Sequence, residues 1–304
     1  MNKTWSKIGY GTWPLAGNVN GSISYGKVDE IDSIKALMSA FSSGINIYDT
    51  ADFYGYGYVE SLIGKTFESV RDEISIITKG GMISNEGNQN FSVAHLSNSL
   101  SKSLERLKTN YIDVYMLHSP KLEVLDEKLL WWLQETKKMG LIKEYGISLR
   151  VPEDGFDAIN KFGFRIIEVN YNILDHRAQT LGLFDLCKEK GVKTIIRTPL
   201  GQGILSGKFK FSDDKADRRN NWKPEYVDKV TGVYKRMMSS LLTNPYTDAQ
   251  NCLRFCLSNP AVCTIIPGMK LVDEVKENLQ SQKFALLSDC EINRLTEIYI
   301  EEKL

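Results

Sequence analysis

The sequence has no surplus charge of either sign: 38 lysines and arginines meet 38 aspartates and glutamates. A chain without a basic excess has no bulk means of gripping a phosphate backbone, so a general nucleic-acid binder is excluded. Long apolar runs are also missing. No stretch approaches the roughly 18 residues needed to span a bilayer. The start, Met1 to Lys7, holds no apolar block of the kind a secretory signal needs. Both absences predict a cytoplasmic protein with no membrane partner. The five cysteines are Cys187, Cys252, Cys256, Cys263 and Cys290, an odd number with no Cys-x-x-Cys pair. Cys252 and Cys256 are four apart and would serve zinc only with two further ligands. We read them as small side chains on one helix face. Histidine is scarcer still, at three residues. That is too few for a barrel metallohydrolase, and no metal is expected. No Gly-x-Gly-x-x-Gly opens a helix after an early strand, which weakens a dinucleotide site of the open-sheet kind.

What is present is alternation. Eight short runs rich in β-branched residues stand at Ile8–Thr12, Ile45–Tyr48, Ile74–Thr78, Ile112–Leu117, Glu144–Ile147, Ile166–Val169, Lys193–Ile196 and Cys263–Ile266. Between them lie stretches of helical period. One carries Ile31, Ile34, Leu37, Met38 and Phe41. Another starts at a capping Ser92 and carries Leu96, Leu100, Leu104 and Leu107. The last starts at Ser288 with Glu291 three residues on, the capping-box spacing. Eight strand–helix alternations in 304 residues predict a closed parallel eight-stranded sheet, the (βα)8 TIM barrel of the α/β class. No Pro/Gly/Ser linker divides the chain, so residues 1–304 read as one domain. One interval is long: residues from about 199 to 245, after strand seven, read as an extended loop, either a lid or a mobile excursion.

In such barrels the reacting groups sit at the C-terminal strand ends. Strand two runs into Asp49, strand three into Lys79, strand four into His118, and Tyr54 lies five residues past Asp49. Taken singly, each has an ordinary structural explanation. Together they make an acid/base set. A phenol has a reference pKa of about 10. An ammonium beside it favours phenolate, an aspartate holds the ammonium, and a histidine can hold a substrate oxygen.

At this point the chain resembles the aldo-keto reductase family. The matching text is Ile8-Gly9-Tyr10-Gly11-Thr12-Trp13, Ile47 to Gly55, Glu60 to Gly64 and Ile77-Thr78-Lys79. It continues with Asp113 to His118, Tyr171 to Asp175, Thr198 to Gly203 and Ile266-Pro267-Gly268. The order is the family's and covers nearly the whole chain. The resemblance implies a (βα)8 barrel, an extended nicotinamide cofactor and a tetrad on Asp49, Tyr54, Lys79 and His118. In it Tyr54 is the proton donor, Lys79 tunes it, Asp49 pairs Lys79 and His118 orients the carbonyl.

The same resemblance implies cofactor contacts. Gly11, Thr12 and Trp13 border the site. Ser148 matches the serine that holds the carboxamide, and Arg197 takes the place of a ring stacked on nicotinamide. Thr198, Pro199, Leu200 and Gln202, with Lys208, match the loop near the pyrophosphate. Ile266, Pro267, Gly268 and Lys270, with Glu274 and Asn278, match the adenosine end. Lys270 could neutralise a 2′-phosphate, so NADPH is expected over NADH. Three features depart from the family: Leu149 replaces an Asn, Glu168 replaces a Gln, and the N-terminal hairpin that plugs the barrel floor is truncated. The substrate pocket is expected at Trp13, Tyr54, Tyr56 and His118, with Phe53, Tyr58 and Trp222 as further mouth aromatics.

The expected function is NADPH-dependent reduction of an aldehyde or ketone, with a sugar or nucleotide-linked keto-sugar as the substrate class. The alternatives are an aldose dehydrogenase running the reverse reaction and a nucleotide-binding regulatory subunit without turnover. Monomer and homo-oligomer both fit the sequence.

Overall fold

The computed structural model describes residues 4–215, 217–241 and 245–302. Eight parallel strands follow one another in chain order: β1 (Tyr10–Gly11), β2 (Ile47–Asp49), β3 (Ser75–Gly80), β4 (Ile112–His118), β5 (Ile142–Ser148), β6 (Ile166–Asn170), β7 (Lys193–Arg197) and β8 (Val262–Ile265). Each pairs with the next. Parallel bridges from Ile8 to Ile265 and from Gly11 to Gly268 bring the first strand beside the eighth and close the sheet. All eight predicted strands are present. This is the (βα)8 barrel, with helices packed outside the strands.

Side chains alternate along each strand, so every second residue faces the barrel axis. Ile47, Ile77, Val114, Met116, Ile166, Ile195 and Ile266 form an inner apolar cluster, distinct from the larger core between sheet and helices. The floor, expected to lack its plug, is filled by Trp5. Its ring packs on the inner cluster, and the Lys193 ammonium sits 4.8 Å from its centroid. Asn46 ties that segment down by donating to the Thr4 carbonyl at 2.9 Å and accepting from the Ser6 amide at 2.8 Å.

The predicted caps form. The Ser92 hydroxyl accepts from the His95 amide, and Ser288 with Glu291 makes a capping box. The helix Glu30–Ser42 turns Ile34, Leu37 and Phe41 to the core, as its period suggests, but leaves Ile31 and Met38 outside. Ala36, Leu37 and Ala40 are buried, whereas Ile31 is 64% exposed. Cys252 and Cys256 are both buried on the helix Asp248–Leu257, as small core side chains.

The excursion from 199 to 245 departs from the loop expectation. It opens with a helical turn at Gly201–Ser206, makes another at Arg218–Asn221, and then forms a 16-residue helix, Pro224–Ser239. That helix buries Val227, Val230, Val233, Tyr234, Met237 and Met238 at helical spacing. The charged residues between Asp213 and Asn221 masked this periodicity. Ala216 and residues 242–244 of the excursion lie outside the described residues.

Candidate active site

The two-residue period that builds the inner cluster also delivers the polar rim. Two residues beyond inward-facing Ile47, Ile77, Met116, Ile166 and Ile195 come Asp49, Lys79, His118, Glu168 and Arg197. Register sets them side by side: His118 pairs with Ser148, and Ser148 with Glu168. These ends open into a cavity of about 660 Å³, within the usual size of a ligand pocket.

Lys79 is fully buried at the base of the site. Its ammonium donates to both Asp49 oxygens at 2.6 Å and to the Thr50 carbonyl at 3.2 Å. It also reaches the Tyr54 hydroxyl at 3.4 Å and lies 3.4 Å from Glu168 Oε2. Tyr54 comes from the turn after β2, anchored where its amide donates to the Ala51 carbonyl and the Asp52 amide donates to the Lys79 carbonyl. Gly57, at φ +92°, ends that turn in a left-handed conformation that side chains resist. The His118 ring stands edge-on to Tyr54, with centroids 5.9 Å apart. The four expected tetrad residues therefore meet.

Electrostatics assigns their charge. Burial pushes the His118 imidazole well below its usual pKa, and Lys79 and Arg197 push it further. His118 is therefore neutral near pH 7. The Tyr54 phenol is raised: burial dominates, Lys79 pulls it down, and Asp49 and Glu168 push it up. Sequence reasoning foresaw the pull of Lys79 but not the opposing weight of burial and of a second carboxylate. The Lys79 ammonium is held above its ordinary value by Asp49 and Glu168, against the cost of burial. Burial first, and then neighbouring Glu168, raise the Asp49 carboxyl, while Lys79 opposes them.

Most expected cofactor residues line the cavity: Gly11, Trp13, Ser148, Glu168, Arg197, Thr198, Pro199, Leu200, Gln202, Lys208, Ile266, Gly268, Lys270, Glu274 and Asn278. Thr12 and Pro267 do not line it. Thr12 instead buttresses the rim, its hydroxyl donating to the Asp49 carbonyl at 2.7 Å. Tyr56 is not in the lining either. It is 42% exposed and packs edge-on to Phe53, which does line the cavity. Tyr58 points away and donates to Glu30, and Trp222 stacks near Phe209 outside the lining.

Arg218 and Arg219, from the excursion after β7, both line the cavity. The Arg218 guanidinium covers the Trp13 ring at 4.7 Å, and the Arg218 amide donates to the Ser24 carbonyl. Arg219 is fixed by Asp217. The excursion thus straps across the rim onto the segment after β1.

The residues present suit a nicotinamide nucleotide. Five polar atoms of cavity-lining residues are buried without a hydrogen-bond partner: His118 Nδ1, Glu168 Oε2, Arg197 Nε, Gln202 Oε1 and Glu277 Oε1. Buried polar groups are nearly always paired, so these five leave hydrogen-bonding capacity for a polar ligand. At the outer end, Lys208, Lys210, Arg218, Arg219 and Lys270 line the wall with Glu274 and Glu277, Asp217 pairing Arg219 and Glu277 pairing Lys208. That end suits phosphates. Gly11 is required where the wall is thinnest, because a Cβ there would meet the Ile266 carbonyl oxygen at 2.5 Å.

Comparison with known proteins agrees. Residues 7–300 match the profile of the Aldo/keto reductase family. The NADH-specific methylglyoxal reductase of Escherichia coli is 27% identical over 97% of this chain and 95% of that protein. The L-glyceraldehyde 3-phosphate reductase of the same species is 27% identical over 90% of this chain and 85% of that protein. Among solved structures, the holo form of aldo-keto reductase AKR11C1 from Bacillus halodurans superposes with a TM-score of 0.79. It shares 27% identity, and the match covers 97% of this chain and 92% of that one. The chain belongs to the aldo/keto reductase family, oxidoreductases that act on carbonyl groups with NAD(P)H.

Proposed function

We propose that this single barrel reduces a small aldehyde or ketone, with Tyr54 as the general acid. The observation that carries the reading is the Lys79 ammonium 3.4 Å from the Tyr54 hydroxyl at the base of the cavity. Reduced nicotinamide supplies a hydride when bound. The protein must supply the proton that the carbonyl oxygen then needs. His118 is neutral and Lys79 is buried beneath the phenol, so the phenol is the donor that faces the cavity. Lys79 stabilises the phenolate left behind, and Asp49 keeps Lys79 charged and in place. His118 orients the carbonyl oxygen beside Tyr54.

The cofactor groups follow the lining. Ser148, Glu168 and Arg197 meet the nicotinamide end. Thr198 to Gln202 and Lys208 follow the phosphates, and Lys270, Glu274 and Asn278 take the adenosine end. The cationic surplus at the outer end supports NADPH as the preferred form. Trp13, Phe53 and Tyr54 give the mouth aromatic faces, and Ser84, Asn85 and Ser119 give it polar groups. That mixture suits a short hydroxylated carbonyl, of the sugar or keto-sugar class. Two relatives named for reducing methylglyoxal and L-glyceraldehyde 3-phosphate point the same way.

The test is a panel of aldehydes, aldoses and nucleotide-linked keto-sugars with NADPH and NADH, run in both directions. NADPH oxidation that depends on an oxygenated carbonyl is expected. Tight NADPH binding with no turnover on the panel would instead mark a regulatory subunit. Faster turnover of sugar with oxidised cofactor would mark a dehydrogenase.

A further inference from the structure

The base of the cavity holds one more carboxylate than the acid/base set needs. Asp49 already satisfies Lys79 with two contacts of 2.6 Å. Glu168 brings a second carboxylate to the same ammonium at 3.4 Å. It is buried, with 2% exposure. Its Oε1 accepts from the Ser148 hydroxyl at 3.0 Å and lies 3.9 Å from Arg197 Nε. Its Oε2 has no hydrogen-bond donor. Arg197 meets it only as this long ion pair, lies 27% exposed at the rim and spends its hydrogen bond on the Leu149 carbonyl at 2.8 Å. Two buried carboxylates around one buried ammonium are costly unless something positive completes the set. A neutral amide at position 168 would fill the same space and accept the same Ser148 hydrogen bond without that cost.

We propose that Glu168 tunes the charge of the nicotinamide seat, so that the protein holds the oxidised, positively charged form of the cofactor more tightly relative to the reduced form than a neutral residue there would allow. The inference rests on the cofactor reading given above. Lys79 touches both groups, so Glu168 Oε2 is no more than about 7 Å from the Tyr54 hydroxyl. The carboxylate therefore lies within Coulombic reach of any ring that exchanges hydride with a carbonyl held at Tyr54. Adenosine and phosphates are common to the two forms, so their contacts cancel in the affinity ratio. Only the ring charge differs. Position 168 is thus a specificity residue for cofactor oxidation state. A seat biased in this way also favours carbonyl reduction over alcohol oxidation once both ligands are bound.

The experiment is the ratio of dissociation constants for oxidised and reduced cofactor, read by quenching of intrinsic tryptophan fluorescence, in the wild-type chain and in Glu168→Gln. The variant is isosteric and removes one of two like charges from a buried cluster, so the fold is not at risk. A unit charge within about 10 Å of the ring, with an effective dielectric near 20, shifts such a ratio by about tenfold or more. Glu168→Gln should therefore weaken oxidised cofactor about tenfold relative to reduced. A ratio that moves less than about threefold, with both forms still bound, overturns the role of Glu168 and leaves the functional reading intact. Failure of the wild-type chain to bind either form overturns the functional reading itself.

Discussion

Replacing Lys79 with methionine keeps the volume of the side chain and removes the cation that touches Asp49, Glu168 and Tyr54 together. Two buried carboxyls then lose their counter-charge. Breaking a buried pair in this way costs about 3–5 kcal/mol. The loss depends on pH, and its sign follows from Asp49. That carboxyl is already raised in the folded protein by burial and by Glu168, while Lys79 opposes the rise. Without Lys79 it rises further. A folded state that binds more protons than the unfolded state loses stability as pH climbs, by about 1.4 kcal/mol per pH unit for one extra proton. Lys79→Met should thus be more destabilised at pH 8 than at pH 6 relative to the wild type, by at most about 1.4 kcal/mol per pH unit. Turnover should fall by about 10²–10⁴, because the phenolate has no partner. Urea unfolding at the two pH values and kcat at saturating cofactor measure both effects. Equal destabilisation at pH 6 and pH 8, or turnover within threefold of wild type, would refute the electrostatic argument.

Asp52 gives a separate pH signature. Burial raises its carboxyl to about 7, with Ser99, Arg106 and the Phe53 amide opposing and Glu60 adding to the rise. Its side chain is partly exposed by area, but Oδ1 is buried and unpartnered. The stability tied to it is complete below about pH 4 and is lost as pH rises towards 7, up to about 4 kcal/mol. Asp52→Asn, neutral throughout, should match wild type at pH 4–5 and exceed it at pH 8 in denaturant midpoint. Gly11→Ala places a methyl 2.5 Å from the Ile266 carbonyl oxygen. It should lower stability by about 1–3 kcal/mol and weaken cofactor binding, measured by thermal melting and fluorescence titration.

The strands and the clustering of Asp49, Lys79 and His118 at their ends were legible because one rule produces both. A period of two sets Ile47 and Asp49, Ile77 and Lys79, and Met116 and His118 on the same inner face, so the apolar pattern locates the chemistry at its end. The caps at Ser92 and Ser288 were legible because they are local. What the sequence hid depends on contacts between distant segments. The helix Pro224–Ser239 follows a charged stretch that reads as loop. Arg218 and Arg219 reach the cavity only because Arg218 hydrogen-bonds the distant Ser24 carbonyl and Asp217 fixes Arg219. The part that Glu168 plays around Lys79 comes from register across β4, β5 and β6. Its departure from the family residue was the one signal that could have pointed there. Thr12 and Pro267 sit in matching motifs, yet they shape the rim from behind.

Tyr54→Phe addresses the assignment of the general acid most directly, because it deletes one oxygen and leaves the ring that packs on Trp13 at 6.0 Å between centroids. Single-turnover reduction at saturating NADPH, together with the NADPH dissociation constant, separates chemistry from binding. The expected result is a rate lowered by about 10²–10⁴ with NADPH affinity unchanged within about threefold. Reduction within tenfold of the wild-type rate would contradict Tyr54 as the proton donor.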